Sequence, residues 1–432
     1  MLAPPALAPF VRFAAALFAA TALFAARTPA ATAPAATSPA SAAAWQLPPG
    51  WTSTKGGTGG KTLRVTTLAA RGPGSLAAAL AAEGPRVVEF AVAGSIDLGG
   101  RSLRVTSPHL TIAGESAPTP GITIVNGGLD LNTHDVIVRH LRIRPGAGTR
   151  AKKSGWEVDG LATGGGAHDV IVDHCSISWS TDENLSASGP RFNGATPDEW
   201  RRHTSHRITF SHCIVGEGLH DSTHAKGPHS MGSLIHDNAS EIAILGNLYI
   251  SNNARNPLFK GGARGAVINN LLHNPGSRFV TYGLVAQEWE GHPWERGAMV
   301  VVGNVARRGP STITSVAFVE SRGPCDFHLH DNLYYDATGA PLPANANLCD
   351  VAGKPAGTGG PQDPRLLERA PFWPPRLQAR PAAETAAWVL ANAGARPWDR
   401  DATDRRLVEE ARTGRGKIIH HESEVADPAA AR

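Results

Sequence analysis

Four stretches of this sequence hold charged residues at spacings that could do chemistry. In WEVDGLATGG, Asp159 stands just ahead of a short apolar run, and one repeat further on STDENLS carries Asp182 and Glu183 side by side. HAKGPHS supplies Lys226 and His229, and ARNPLFKGG supplies Arg255 and Lys260 on either side of Pro257. Carboxylates brought to one face repel each other unless a hard cation sits among them, and calcium, with its oxygen ligands and tolerant geometry, suits such a set. Two cations fixed beside that site cost free energy unless an anionic ligand fills the space between them. The histidines at 220, 224, 229 and 236 match no zinc-finger spacing and read as the lining of a groove. Taken one by one, Asp182–Glu183 could equally cap a solvated turn, and Arg255 could be a surface arginine on a loop.

The elements that would position these residues repeat. DVIVRHLRIRPG, DVIVDHCSISWS, RITFSHCIVGEG, EIAILGNLYISN, GAVINNLLHNPG, AMVVVGNVARRG and DFHLHDNLYYDA each read as a short β-branched strand, a polar or Gly pair, then a second short strand. Aligning them puts Leu141, Cys175, Cys213, Asn247, Asn270, Asn304 and Asn332 in one register, at spacings of 23 to 38 residues, the range of solenoid repeats. An Asn recurring at an interior bend can hydrogen-bond to its equivalent in the next coil and satisfy backbone groups that the bend leaves open. Small Cys residues at the same position stack as buried neighbours. The regularly spaced hairpin signals of a β-sandwich are few, and the dense leucines of a leucine-rich repeat are absent.

The expected fold is all-β: a single-stranded right-handed parallel β-helix with a short helical C-terminal extension. Residues 45–350 form the β-helix catalytic domain, and 351–432 form a linker followed by two helices, AAETAAWVLANAGA and DATDRRLVEEARTG, that cover an end or side of the solenoid. Residues 1–44 read as a signal peptide and an Ala/Pro-rich linker, with Arg12 ahead of FAAALFAATALFAA. The chain is thus expected to be secreted, with no membrane span after signal cleavage and no nucleic-acid partner.

Bulk composition agrees. Of 432 residues 41% are hydrophobic and 18% charged, which fits a globular chain, and 47 Gly and 33 Pro with 6% aromatics favour many turns over helical bundles. The net charge of +4 is mild and compatible with a polyanionic partner. Export permits disulfides, and Cys325 and Cys349, which bracket a Gly/Pro/Asn-rich stretch, are the expected pair.

VIVDHCSISWSTDE, HAKGPHSMGSLI and NNARNPLFKGG together resemble the pectate lyase family, as do LRVTTLAARGPGSLAAAL near the start and VLANAGARPWDRDATDRRLVEEARTG near the end. The resemblance spans nearly all of the mature chain. It implies a parallel β-helix, a monomer, and calcium-dependent β-elimination of the anionic polysaccharide polygalacturonate to unsaturated oligogalacturonates. Residue by residue, it makes Asp159, in a D-[GA]-[LI] setting, the first Ca2+ ligand, with Asp182 and Glu183 as the next group. Arg255 matches the proton-abstracting arginine, and Lys260 stands where many members have a second substrate-binding cation. Two positions depart from the pattern: Ser186 replaces an acidic ligand, and Met231 falls where a strict alignment puts the substrate-binding lysine, so Lys226, with His229 beside it, is carried over in that role. An arginine base implies an alkaline optimum. The competing readings are a pectin lyase, a polygalacturonase, or a non-catalytic solenoid that binds polysaccharide; NTHD at 132–135 hints at a polygalacturonase but lacks the paired carboxylate that hydrolysis needs.

Overall fold

Seven successive coils each turn on one residue with left-handed backbone. His140, His174, His212, Gly246, Asn269, Gly303 and Asp331 follow successive strands of one sheet with φ between 46° and 68°. Gly, Asn and Asp adopt this region at least cost, which accounts for part of the polar or Gly position in every repeat. The residue after each bend turns inward, and the strand pairings place Leu141, Cys175, Cys213, Asn247, Asn270, Asn304 and Asn332 in the expected single register. The amides form a ladder: Asn247 Nδ2 donates to Asn270 Oδ1, Asn270 Nδ2 to Asn304 Oδ1 and Asn304 Nδ2 to Asn332 Oδ1, each at 3.0 Å. Asn247 Oδ1 continues it by accepting from Cys213 N at 2.7 Å.

The structure, a computed structural model, describes residues 45–344, the backbone of 348–350, and residues 363–425. Its strands form three sheets of eleven, ten and nine members. The first runs from Lys61–Val65 to Pro364–Leu366, the second from Gly94–Asp97 to Pro341–Leu342, and the third from Leu103–Val105 to Leu348–Asp350. A coil visits them in turn, as in His168–Asp173, Ser176–Ser178, Leu185–Ala187 and back to His206–Ser211. Among the described strands every pairing is parallel except that of Leu333–Tyr335 with Pro341–Leu342. The sheets therefore continue past residue 350, since Pro364–Leu366 pairs with Cys325–His330.

Alternate residues of each strand fill the interior: Val136, Val138, Val170, Val172, Ile208, Phe210, Ile242 and Ile244 are fully buried in one continuous core. Burying side chains of this size contributes about 1.5–3 kcal/mol each. Helix α1 (Leu76–Leu80), capped by Ser75, adds Leu76 and Leu80 to the first coils of that core. Helix α2 (Pro197–His203) lies in a loop between the third and first sheets. The two C-terminal helices form as expected: α3 (Ala382–Asn392) and α4 (Ala402–Thr413) pack Val389, Leu390, Leu407 and Val408 against Ile214, Leu248, Leu271 and Val305 of the second sheet. They cover a side of the solenoid.

Cys175 and Cys213 are buried free thiols in adjacent coils, with Cys175 N donating to Cys213 Sγ at 3.5 Å. Cys325 is also a free buried thiol, its Sγ donating to Asp326 O at 3.6 Å, so the expected Cys325–Cys349 bridge is not made. Cys325 begins a strand of the first sheet while Cys349 lies in the third, opposite Glu320; the Cys349 side chain lies outside the described residues. The signal-peptide and linker expectation for 1–44 falls outside them as well. No described helix is long and apolar enough to cross a membrane.

Candidate active site

The third sheet has strands of only two to four residues, and the cluster sits in the backbone just ahead of them. Leu161 pairs with Leu185, so Asp159 and Glu183, each two residues earlier, face each other in adjacent coils; Glu183 N donates to Asp159 Oδ1 at 3.0 Å. Isolated bridges continue the stack from Glu183 to Met231 and from Met231 to Ala254, which brings Arg255 beside the carboxylates. Gly160 is required here, because a Cβ on it would meet Ile177 Cγ2 at 2.2 Å and Asn184 O at 2.7 Å. This is the physical content of the small residue after Asp159.

A second ladder of buried amides fixes the stack from behind. Asn184 Nδ2 donates to Asn252 Oδ1 at 2.9 Å, Asn252 Nδ2 to Asn256 Oδ1 at 3.0 Å, and Asn256 Nδ2 to Arg278 O at 2.9 Å. Asn184 follows Glu183 and Asn256 follows Arg255, so the ladder holds the backbone of both charged residues. Arg255 itself has φ of 59° and precedes a cis Asn256–Pro257 bond.

Asp159, Asp182 and Glu183 offer oxygens that all lie within 4.8 Å of one another. Burial pushes the Asp159 carboxyl well above its ordinary range, and the charges of Asp182 and Asp130 push further in the same direction, against the opposing pull of Arg255. For Asp182, burial acts upward, but His229, His224 and Arg255 outweigh it and hold the group below its usual value. His229 Nε2 lies 2.7 Å from Asp182 Oδ1 and His224 Nε2 3.6 Å from it, with the two rings stacked at 3.8 Å. Arg255 forms an ion pair with Glu183. Burial depresses its pKa, although Asp182, Asp159 and Glu288 favour the charged form. The donor set is all oxygen, carries surplus negative charge, and contains one carboxyl that resists ionising unless a cation arrives. It fits Ca2+.

The structure thus brings Asp159, Asp182, Glu183, His229 and Arg255 together. Lys260 closes the next strand of the stack, where its Nζ pairs with Glu288 and lies 3.5 Å from Asp237 Oδ2. Lys226 is exposed on the loop beyond His224, and its amine has no hydrogen bond or ion pair among the described residues. Ser186 is buried on the third sheet, its Oγ accepting from Leu234 N at 3.3 Å, and Met231 lies in the coil between Glu183 and Ala254. Of the expected groove histidines, His224 and His229 stack at Asp182 and His220 bonds to His229 O, whereas His236 lies apart against Asp237 and Arg191.

Several charged residues near the cluster carried no signal by themselves. Asp130 is one coil before the site, in register with Arg104 on one side and with Ala162 on the other; aligning Leu129 with Leu161 would have found it. Arg191, Asp237 and Glu288 sit on loops and converge only in the fold.

A three-sheeted parallel solenoid with a carboxylate–arginine cluster along one sheet defines a class of protein, and its relatives give the family. A probable pectate lyase C of Neosartorya fischeri is 31% identical over 377 residues, covering 86% of this chain and 78% of the relative. A probable pectate lyase C of Emericella nidulans is 31% identical over 357 residues, covering 82% and 72%. No family model matches the chain. In fold, the chain is similar to the cedar pollen allergen jun a 1, with a TM-score of 0.54 at 16% identity over 79% of this chain and 90% of that one. A solved pectate lyase bound to hexasaccharide is also similar, with a TM-score of 0.52 at 14% identity over 80% and 94%. The chain belongs to the pectate lyase family, a family of polysaccharide lyases.

Proposed function

We propose that this chain is a secreted, monomeric pectate lyase that cleaves polygalacturonate by calcium-dependent β-elimination and releases unsaturated oligogalacturonates. The observation that carries the reading is Arg255: a half-buried arginine whose pKa is depressed by burial, two coils beyond Asp182 and Glu183 and ion-paired with Glu183 of a set of three convergent carboxylates. Asp159, Asp182 and Glu183 would hold Ca2+, which supplies positive charge to the uronate carboxylate while it gains electron density. Arg255 in its neutral form takes the proton from C5 of a galacturonate; the C4–O4 bond breaks, a C4–C5 double bond forms, and the leaving oxygen acquires a proton. Glu183 links the two functions, since Arg255 without Glu183 as its counter-ion holds a proton less tightly. His229 bonds to Asp182 and would orient it and meet substrate hydroxyls, with Lys226 reaching in from the loop and Lys260 taking a second carboxylate. The coils are taken to wind right-handed, as parallel crossovers do.

Ultraviolet absorbance of unsaturated product on polygalacturonate, with calcium and then with a chelator, tests this reading. Absorbance that a chelator abolishes supports it. New reducing ends without absorbance make the chain a hydrolase, and neither signal makes it a binding solenoid.

A further inference from the structure

Beside the cluster, two cations from different coils converge on one carboxylate. Arg191, in the loop after Leu185–Ala187, places Nη2 2.5 Å from Glu288 Oε2, and Lys260, at the end of Leu258–Lys260, pairs with the same oxygen. Both cations also reach Asp237 Oδ2, Arg191 Nε at 3.1 Å and Lys260 Nζ at 3.5 Å. The two anions differ in kind. The Asp237 side chain has no exposure, and its other oxygen accepts from Trp289 Nε1 at 2.9 Å. It is a fixed internal counter-ion, and removing it would leave buried charge unpaired. Glu288 lies on the surface turn Ala286–Trp289 with 36% of its side chain exposed, and its neighbour Trp289 anchors that turn by packing against Phe192 and Trp200. Glu288 can therefore leave by side-chain rotation alone, without moving the turn.

Once it leaves, two cations face one fixed anion, and the position has a net positive charge open to solvent. The same position adjoins the candidate base along the chain, because Lys260 ends the strand Leu258–Lys260, which begins three residues after Arg255. We propose that Glu288, clamped by Arg191 and Lys260 beside the buried Asp237, is a resident competitor at the Lys260 position, and that an unesterified uronate of the bound polysaccharide displaces it. This rests on the pectate reading above. Exchanging one carboxylate for another keeps both cations paired, whereas a methyl-esterified unit would leave a charge uncompensated, so the position selects for the free acid. The tethered Glu288 also weakens the apparent affinity by the fraction of time the position is open. With about a tenth of molecules open, the apparent Kd is ~10-fold weaker than the intrinsic one.

The test is calorimetric titration of trigalacturonate, in calcium, into the full chain carrying Arg255→Ala so that the ligand is not consumed. Adding Glu288→Gln is expected to tighten binding by about tenfold, while Glu290→Gln, which removes the same charge from an exposed neighbour, changes it less than about twofold. Arg191→Ala is expected to weaken binding, and methyl-esterified trigalacturonate to gain nothing from Glu288→Gln. Equal or weaker binding by Glu288→Gln, equal gains for acid and ester, or binding by neither protein would overturn the proposal. Failure of the lyase reading is separately visible: tighter acid-selective binding without elimination by the wild type keeps the competitor and removes the enzyme, and the reverse pattern keeps the enzyme and removes the competitor.

Discussion

On the proposed reading, Arg255 is both a cation in an anionic groove and the base at the reacting carbon, and its surroundings pull both ways. Burial lowers its pKa while Asp182, Asp159 and Glu288 raise it, with the net effect downward. The base works only without its proton, so the rate on polygalacturonate should climb as pH rises and peak above about pH 8. A rate profile with its optimum below about pH 6 would exclude arginine from the role. Asp159 makes the opposite kind of statement. Its folded-state pKa lies above the unfolded value, so its ionised form costs stability, fully above the folded pKa and not at all below the unfolded one. Asp159→Asn should therefore raise the melting temperature of the calcium-free protein at neutral and alkaline pH, while weakening calcium binding on the order of tenfold or more by calorimetry. A mutant less stable without calcium, or one with unchanged calcium affinity, would contradict the assignment. Both residues were singled out in the sequence by the family resemblance, through DGL for Asp159 and ARNPLFK for Arg255, whereas Arg255 taken alone reads equally well as a surface arginine.

At the scale of elements, the two amide ladders were not equally visible. Asn247, Asn270, Asn304 and Asn332 recur once per coil at the same bend, so alignment of the repeats exposes them. The site ladder does not repeat: Asn252 and Asn256 belong to one coil and Asn184 to an earlier one, and only folding shows them bonded. Asn252 is its centre, accepting from Asn184 Nδ2 and Gly218 N and donating to Val215 O. Asn252→Ala should cost about 2–4 kcal/mol of stability and lower kcat about 10- to 100-fold through misplacement of Glu183 and Arg255; wild-type kcat in that variant would disconnect the ladder from the site. The C-terminal helices show the same limit. Their apolar faces were readable, but their charge partners were not. Asp404 is fully buried, with Arg144 Nη2 at 2.8 Å, Arg142 Nε at 3.3 Å and Ser176 Oγ at 2.8 Å. Asp404→Ala leaves Arg142 and Arg144 short of a partner in the interior and should destabilise the fold by about 3–5 kcal/mol, measured by denaturant titration; a change under about 1 kcal/mol would mean α4 is held by its apolar face alone.

Across the whole molecule, the architecture came from periodicity and the residues beyond the motifs came from loops. The repeat predicts which side chains face inward, because a stacked coil allows one register. It does not predict which loops meet, and Arg191 reaches Asp237 and Glu288 across 46 and 97 positions. The same reason hid the partners of Lys260. On the proposed reading calcium ties the scales together: an ion bound only by the folded cluster would stabilise the chain by about 2.7 kcal/mol at a hundred times its Kd, so a chelator should lower the melting temperature. The central claim is that Arg255, held against this cluster, is the base. Its most direct test is the initial rate of unsaturated product formation by Arg255→Ala on polygalacturonate in saturating calcium, with the fold and calcium affinity checked in the same preparation. The account predicts a loss of kcat of about a thousandfold or more with calcium binding retained; turnover at the wild-type rate would contradict it.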